Sequence, residues 1–147
     1  MTTKDRSSTG LETARKLIGR GRPPGIGEAL DFELISIEEG SAVCGGVPGP
    51  HAYNPLGVVH GGYAATLLDT ACGFAVMSRL TADQSYTTIE LKVSYHKAMT
   101  AATGPVQASG RIVTIGRRVA FAEASLTDDK GAIYASATSS LLIMDAP

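Results

Sequence analysis

The chain has no tryptophan, three phenylalanines and five tyrosines, so aromatic residues make up 5% of its 147 positions. A core with so few rings must be filled by aliphatic and small residues, and hydrophobic types reach 44%. Charge is sparse as well, at 18% against roughly 25% in ordinary soluble domains. That shortfall points to surface covered by self-association. The 13 basic and 14 acidic residues leave a net charge of −1. No basic run is interleaved with aromatics, which argues against nucleic acid as a partner. No apolar run reaches the ~18 residues of a membrane span. The opening residues, MTTKDRSSTG, hold no apolar core of a secretory signal. A cytoplasmic location, with no membrane partner, is the expectation.

Cysteine and histidine are scarce too. Cys44 and Cys72 stand 28 positions apart, which is neither metal spacing nor a disulfide framework. Their small apolar neighbours mark them as core residues. His51, His60 and His96 form no metal-ligand cluster, so neither a metal nor a cofactor is expected.

The length fits one domain. Residues 1–24 read as a flexible N-terminal segment with a short helix at 11–20, where Leu11, Ala14, Leu17 and Ile18 share one side. RGRPPG (20–25) breaks that helix, and the main domain runs over 25–147. Residues 29–40 read as a strand and 41–48 as the second arm of a hairpin. Residues 48–59 hold three prolines and two glycines and form a loop. From Gly61 to Arg79 the chain has helix length, no proline and a single charge, Asp69, before Arg79. Apolar on all sides, that helix is expected to be buried. Residues 86–96 alternate, with Ile89, Leu91, Val93 and Tyr95 on one face and Thr88, Glu90, Lys92 and Ser94 on the other. Strands at 106–115, 119–127 and 132–144 follow, separated by tight turns at 116–118 and 128–131. Short connections favour antiparallel pairing. The sequence therefore predicts an α+β fold, a curved antiparallel sheet of about six strands around one long buried helix.

Asp69 stands out chemically. Leu67, Leu68, Ala71 and Cys72 surround it, and an unpaired carboxylate in such company is costly. Unless that helix face simply reaches water, it calls for a cavity, a partner or a subunit seam, where it suits general-base work. The junction Asn54-Pro55-Leu56-Gly57-Val58-Val59-His60-Gly61-Gly62 precedes the helix. Free N–H groups and a positive dipole end lie there, and glycines admit a ligand close to the backbone. That geometry suits an oxyanion hole, to which Asn54 adds an amide donor, with His60 at the same opening. Gly61 and Asp69 are about 12 Å apart along the axis and rotated by about 80°. One substrate carbonyl cannot meet both on one chain, so if both are catalytic they come from different subunits. Arg117 and Arg118, at a hairpin tip, suit phosphate groups, and Lys97 has the same potential. Tyr63, Phe74, Met77 and Tyr95 are candidates for shaping an apolar ligand pocket.

Asn54-Pro55-Leu56-Gly57, His60-Gly61-Gly62 and Leu67-Leu68-Asp69-Thr70-Ala71 together resemble the active-site signature of hotdog-fold acyl-CoA thioesterases, in particular the phenylacetate-degradation (PaaI-like) type. The similarity continues through Thr87–Val93 and Gly116–Phe121 and covers residues 14–144. The resemblance implies a homodimer or dimer of dimers acting on a small aryl- or medium-chain acyl-CoA. It implies that the Gly61 N–H, helped by Asn54, polarises the thioester carbonyl, and that His60 supports the loop. Asp69 of the neighbouring chain would activate water or attack the carbonyl, and Thr88 would orient the water. Arg117, Arg118 and Lys97 would meet coenzyme A phosphates, although relatives often carry Arg-Pro where this chain has Lys97-Ala98. The alternatives are an acyl-CoA-binding module without catalysis and a hotdog hydratase or dehydratase. The retained Asp69 argues against the first, and the His60-Gly61-Gly62 sequence argues against the second.

Overall fold

The computed structural model describes residues 8–22 and 24–147. Residues 1–7 and Pro23 lie outside the described residues, and that part of the expected flexible segment falls there. The first helix, α1, is Gly10–Arg15, shorter than the 11–20 expected. Thr9 starts it with a reciprocal cap: its Oγ1 accepts from the Glu12 N–H at 3.3 Å, and the Glu12 carboxylate accepts from the Thr9 N–H at 2.9 Å. Gly19 and Gly21 adopt φ of 78°, a left-handed geometry that no helix can continue through.

The expected strand at 29–40 begins later. Ile26–Leu30 is a short helix, α2, ended by Asp31 at φ 62°. Glu28, Ala29 and Leu30 are good helix formers, and the β-branched Ile35 and Ile37 come only afterwards, in strand β1 (Phe32–Glu38). Strand β2 (Ser41–Gly46) closes the hairpin. The loop at 48–59 carries a 3-10 turn at Pro50–Ala52. The long helix α3 is Gly61–Met77, and strands β3 (Gln84–Tyr95), β4 (Val106–Ile115), β5 (Val119–Asp128) and β6 (Ile133–Asp145) complete the chain.

The six strands form one antiparallel sheet in the order β1-β2-β4-β5-β6-β3. The helix sits between β2 and β3 in sequence, so β3 lands on the edge opposite β1. All six strands contact α3, as a sheet curled around a helix requires. Gly110 of β4 permits the close approach, since a methyl group there would stand 2.6 Å from the Ala71 carbonyl oxygen. This is the hotdog arrangement that the resemblance implied.

Leu67, Leu68, Ala71 and Cys72 of α3 are fully buried against Leu126 and Leu141 of the sheet. The helix is not buried all round, however. Gly62, Ala65, Thr66, Asp69 and Thr70 form a strip that the chain's own sheet leaves half-exposed. Both cysteines are in the core, where burial pushes their thiols up to about 12, helped by Cys72 at Cys44 and by Asp69 at Cys72. They are inert thiols at neutral pH.

Strand β3 departs from strict alternation. Its register against β6 shifts between Thr88 and Glu90, a bulge that turns Ile89 outward at 57% exposure. Leu91 and Val93 beyond it pack on the core. Thr88 before it also faces the helix, the opposite of the face assigned by simple alternation.

Candidate active site

The extended His60 caps α3, and its ring Nδ1 accepts from the Gly62 N–H at 2.7 Å. In the neutral ring the proton then sits on Nε2, which makes that nitrogen the donor. The His60 N–H donates to the Ala52 carbonyl at 2.7 Å and the Tyr63 N–H to the His60 carbonyl at 3.0 Å. Among the described residues this leaves the Gly61 N–H as the first-turn donor without a partner. It is an isolated donor at the positive end of a helix, the place where a developing oxyanion is best stabilised.

The preceding loop is fixed by Asn54. Its side-chain Oδ1 accepts from the N–H groups of Leu56 (2.9 Å) and Val58 (3.3 Å), and its own N–H donates to the Val58 carbonyl at 2.8 Å. The amide oxygen is thus committed to the turn, while the NH₂ is available as a donor. A cavity of about 370 Å³ opens beside Gly61, lined by His60, Tyr95, Lys97, Met99 and Tyr134 among others, with no carboxylate in its wall. The Lys97 Nζ lies 5.4 Å from the Tyr134 ring centre. The Tyr95 hydroxyl donates to the Gly61 carbonyl at 2.8 Å.

Asp69 lies two turns farther along α3, on the half-exposed strip. The Thr88 Oγ1 donates to its Oδ1 at 2.9 Å. Simple alternation along β3 placed Thr88 beside Glu90, able to reach Asp69 only across a subunit seam. The bulge at Ile89 corrects this, because it turns Thr88 onto the helix of its own chain. Burial, and then the Asp69 charge, push the Tyr86 phenol up to about 12, so neither Tyr86 nor Cys72 competes with Asp69 as a base at neutral pH. Replacing Thr88 with Val should lower kcat about 10-fold, a modest share of a positioned acid or base, while Thr88→Ser should keep near-normal turnover. Steady-state kinetics on both variants checks this, and a fully active Thr88→Val would remove the hydroxyl from the site.

Arg117 and Arg118 are exposed in the β4–β5 turn, beside a cavity of about 410 Å³ that Gln84 and Asp145 also line. Gln84 and Tyr95 end β3, so the arginines and Lys97 lie at opposite ends of that strand. Eleven residues of extended chain span about 35 Å, too far for the clustered phosphates of one nucleotide to meet both on one chain. Thr88 pairs with Leu141, which pairs with Ala120, two residues from Arg118. The candidate residues therefore fall into two groups on each chain, Asn54, His60, Gly61 and Lys97 in one and Asp69, Thr88, Arg117 and Arg118 in the other.

The four residues expected to shape an acyl pocket separate. Tyr63 is core, Tyr95 lines the Gly61 cavity, and Met77 lines neither of the two apolar openings. Phe74 faces a second cavity, of about 230 Å³, with Leu17, Ile26, Phe32, Leu34 and Thr70. The sequence does not indicate that the N-terminal segment would wall this cavity. Among the described residues no three His, Cys, Asp or Glu side chains converge to hold a metal, and no helix is long and apolar enough to cross a membrane.

The fold agrees with what the chain resembles among known proteins. A candidate esterase of Halobacterium salinarum is 44% identical over 72 residues, 48% of this chain and 46% of that protein, so the match spans about half of that relative's length. The 1,4-dihydroxy-2-naphthoyl-CoA hydrolase of Listeria monocytogenes is 25% identical over 105 residues, 71% of this chain and 84% of the enzyme. A phenylacetic acid degradation-related candidate thioesterase from Ralstonia eutropha has the same fold, with a TM-score of 0.77 at 24% identity over 92% of this chain and 99% of its own. The thioesterase superfamily as a family matches residues 56–135, from the Asn54 loop through α3 to the start of β6. With that match over more than half of its length, the chain belongs to the thioesterase superfamily.

Proposed function

We propose that the protein hydrolyses acyl-CoA thioesters to a free acid and coenzyme A, at a site shared by two copies of the chain. The observation that carries this is the unpartnered Gly61 N–H at the start of the same helix that presents a Thr88-bound carboxylate two turns later. In the reaction, water attacks the thioester carbon and gives its proton to Asp69. The oxyanion that forms is held by the Gly61 N–H and the Asn54 amide. Its collapse breaks the C–S bond, and the departing sulfur takes up the proton. In direct attack by Asp69, collapse of the same oxyanion breaks the C–S bond, the thiolate leaves and takes up a proton, and water then hydrolyses the resulting anhydride to the free acid and Asp69, so both routes need the same two half-sites. The half-exposed strip of α3 and the unpaired edge of β3 are the surfaces that a second copy would cover.

The substrate reading is a small aryl- or medium-chain acyl group. A cavity of roughly 150 Å³ accepts a benzene ring, and the cavity beside Thr70 and Phe74 offers about 230 Å³. Arg117 and Arg118 supply cationic forks for the nucleotide phosphates. The test is thiol release from a panel of acyl-CoAs and from the matching N-acetylcysteamine thioesters, which lack the nucleotide. Replacing both arginines with Ala should raise KM for acyl-CoA with kcat nearly constant, the pattern of lost uniform binding. KM for the short thioester should not move. Acyl-CoA binding without thiol release would replace this reading with that of a non-catalytic binding module.

A further inference from the structure

Gly61 and Gly62 lack a Cβ, so the first turn of α3 has the least steric restraint of any turn in that helix. The Gly61–Gly62 peptide is joined through the Gly61 Cα to the His60–Gly61 peptide that carries the Gly61 N–H, so rotation at Gly61 re-aims that donor unless both peptides are held. In this structure the Gly61–Gly62 peptide is held at both ends. Its N–H, on Gly62, donates to the His60 Nδ1 at 2.7 Å. Its carbonyl, on Gly61, accepts from the Tyr95 hydroxyl at 2.8 Å. The two clamps come from different elements, one from the helix cap and the other from the last residue of β3. Tyr95 also occupies the space that a Gly61 side chain would need, because a methyl group there would stand 3.0 Å from the phenol ring and its oxygen.

We propose that Tyr95 is a positioning residue, whose hydroxyl anchors the Gly61 carbonyl and so limits the rotation at Gly61 that would turn its N–H away from the substrate carbonyl. This rests on the reading of Gly61 as the oxyanion donor. Packing does not explain the contact. Tyr95 is 57% exposed, so its ring adds little to the core, and a hydroxyl bonded to the carbonyl of a helix's first residue is not needed to hold the helix. A preorganised donor is worth far more than one that must be reoriented during the reaction. Misplacement by about 1 Å can cost as much as 10²-fold. Tyr95 touches the peptide rather than the reacting atoms, so its loss should be smaller than that of the donor itself.

The test is Tyr95→Phe, which keeps the ring and removes the donor. Turnover should fall about 10-fold, less than the about 10²–10³ of deleting an oxyanion donor. KM should stay within about twofold, because the interaction acts in the transition state. The pH profile of kcat/KM should keep its shape, as no acid or base has been removed. Hydrogen exchange of the Gly62 amide, followed by NMR without substrate, should accelerate while the melting temperature holds. A second variant, Gly61→Ala, should displace the Tyr95 hydroxyl, so that adding Tyr95→Phe to it costs nothing further. Unchanged kcat and unchanged Gly62 exchange would overturn the proposal. So would a rise in KM alone, which would make Tyr95 a substrate contact, and so would additive losses in the double variant. If the wild-type chain releases thiol from no thioester, the hydrolase reading fails by itself. Gly62 exchange then decides whether Tyr95 holds the peptide.

Discussion

Asp69→Asn should yield a folded protein whose turnover is lower by about 10²–10⁴, the usual worth of a positioned acid or base. The substitution is close to isosteric, and the Asn oxygen can still accept from the Thr88 hydroxyl that now reaches Oδ1 at 2.9 Å. The ability to take a proton or to attack carbon is what disappears. Removing a charge from a strip bordered by Leu68 and Cys72 does not threaten the fold, because no cationic partner among the described residues depends on it. Thermal melting should therefore match the wild type within a few degrees, and the loss should appear in kcat. Comparable activity in Asp69→Asn would take Asp69 out of the chemistry. The half-site built around it would then need another base, and Tyr86 and Cys72, both held protonated at neutral pH, cannot serve.

Much of this was legible in the sequence because the signals were local. The long proline-free run after Gly61, the hairpin turn at Gly116-Arg117-Arg118 and the alternation in the last three strands each follow from spacing alone. Misreadings arose where one residue changes the direction of the chain. The start of β1 was misplaced because Asp31 adopts φ 62°, a geometry that no pattern of apolar residues announces. Thr88 was placed on the wrong face because a single extra residue at Ile89 inverts the parity of everything before it. Bulges leave little trace in composition, although a strand that must carry Tyr86 and Leu91 to the same core holds an odd interval that period two cannot satisfy. Tyr95 reads in the sequence as a pocket candidate on the face of β3 that carries Leu91 and Val93, with no sign of a backbone partner. Its bond to the Gly61 carbonyl joins residues 34 positions apart and depends on how β3 ends against the helix.

The shared site leads to the sharpest expected result. Gly61 and Asp69 are about 12 Å apart along α3 and point about 80° apart, so one carbonyl carbon cannot meet both on one chain. In a two-fold dimer, each site would take Asn54, His60 and Gly61 from one copy and Asp69 with Thr88 from the other. Asn54→Asp is the suitable first lesion. Its carboxylate oxygen preserves the bonds to the Leu56 and Val58 N–H groups that hold the loop, but the free NH₂ donor is gone and a negative group faces the oxyanion. That variant and Asp69→Asn should each lose at least about 10² in turnover. Unfolded together in equal amounts and refolded, about half of the dimers should be mixed by random pairing. In a mixed dimer both lesions fall in one site and the other site is intact. Activity should return to about one quarter of wild type, again by random pairing. The same fraction holds for a dimer of dimers whose sites form within each two-fold pair. If both residues served the site of their own chain, every site would carry one lesion and mixing would restore nothing. Mass spectrometry of differently tagged chains establishes that exchange has occurred. Exchange without recovery would then refute the cross-chain site and, with it, the pairing of the Gly61 donor with the Asp69 base.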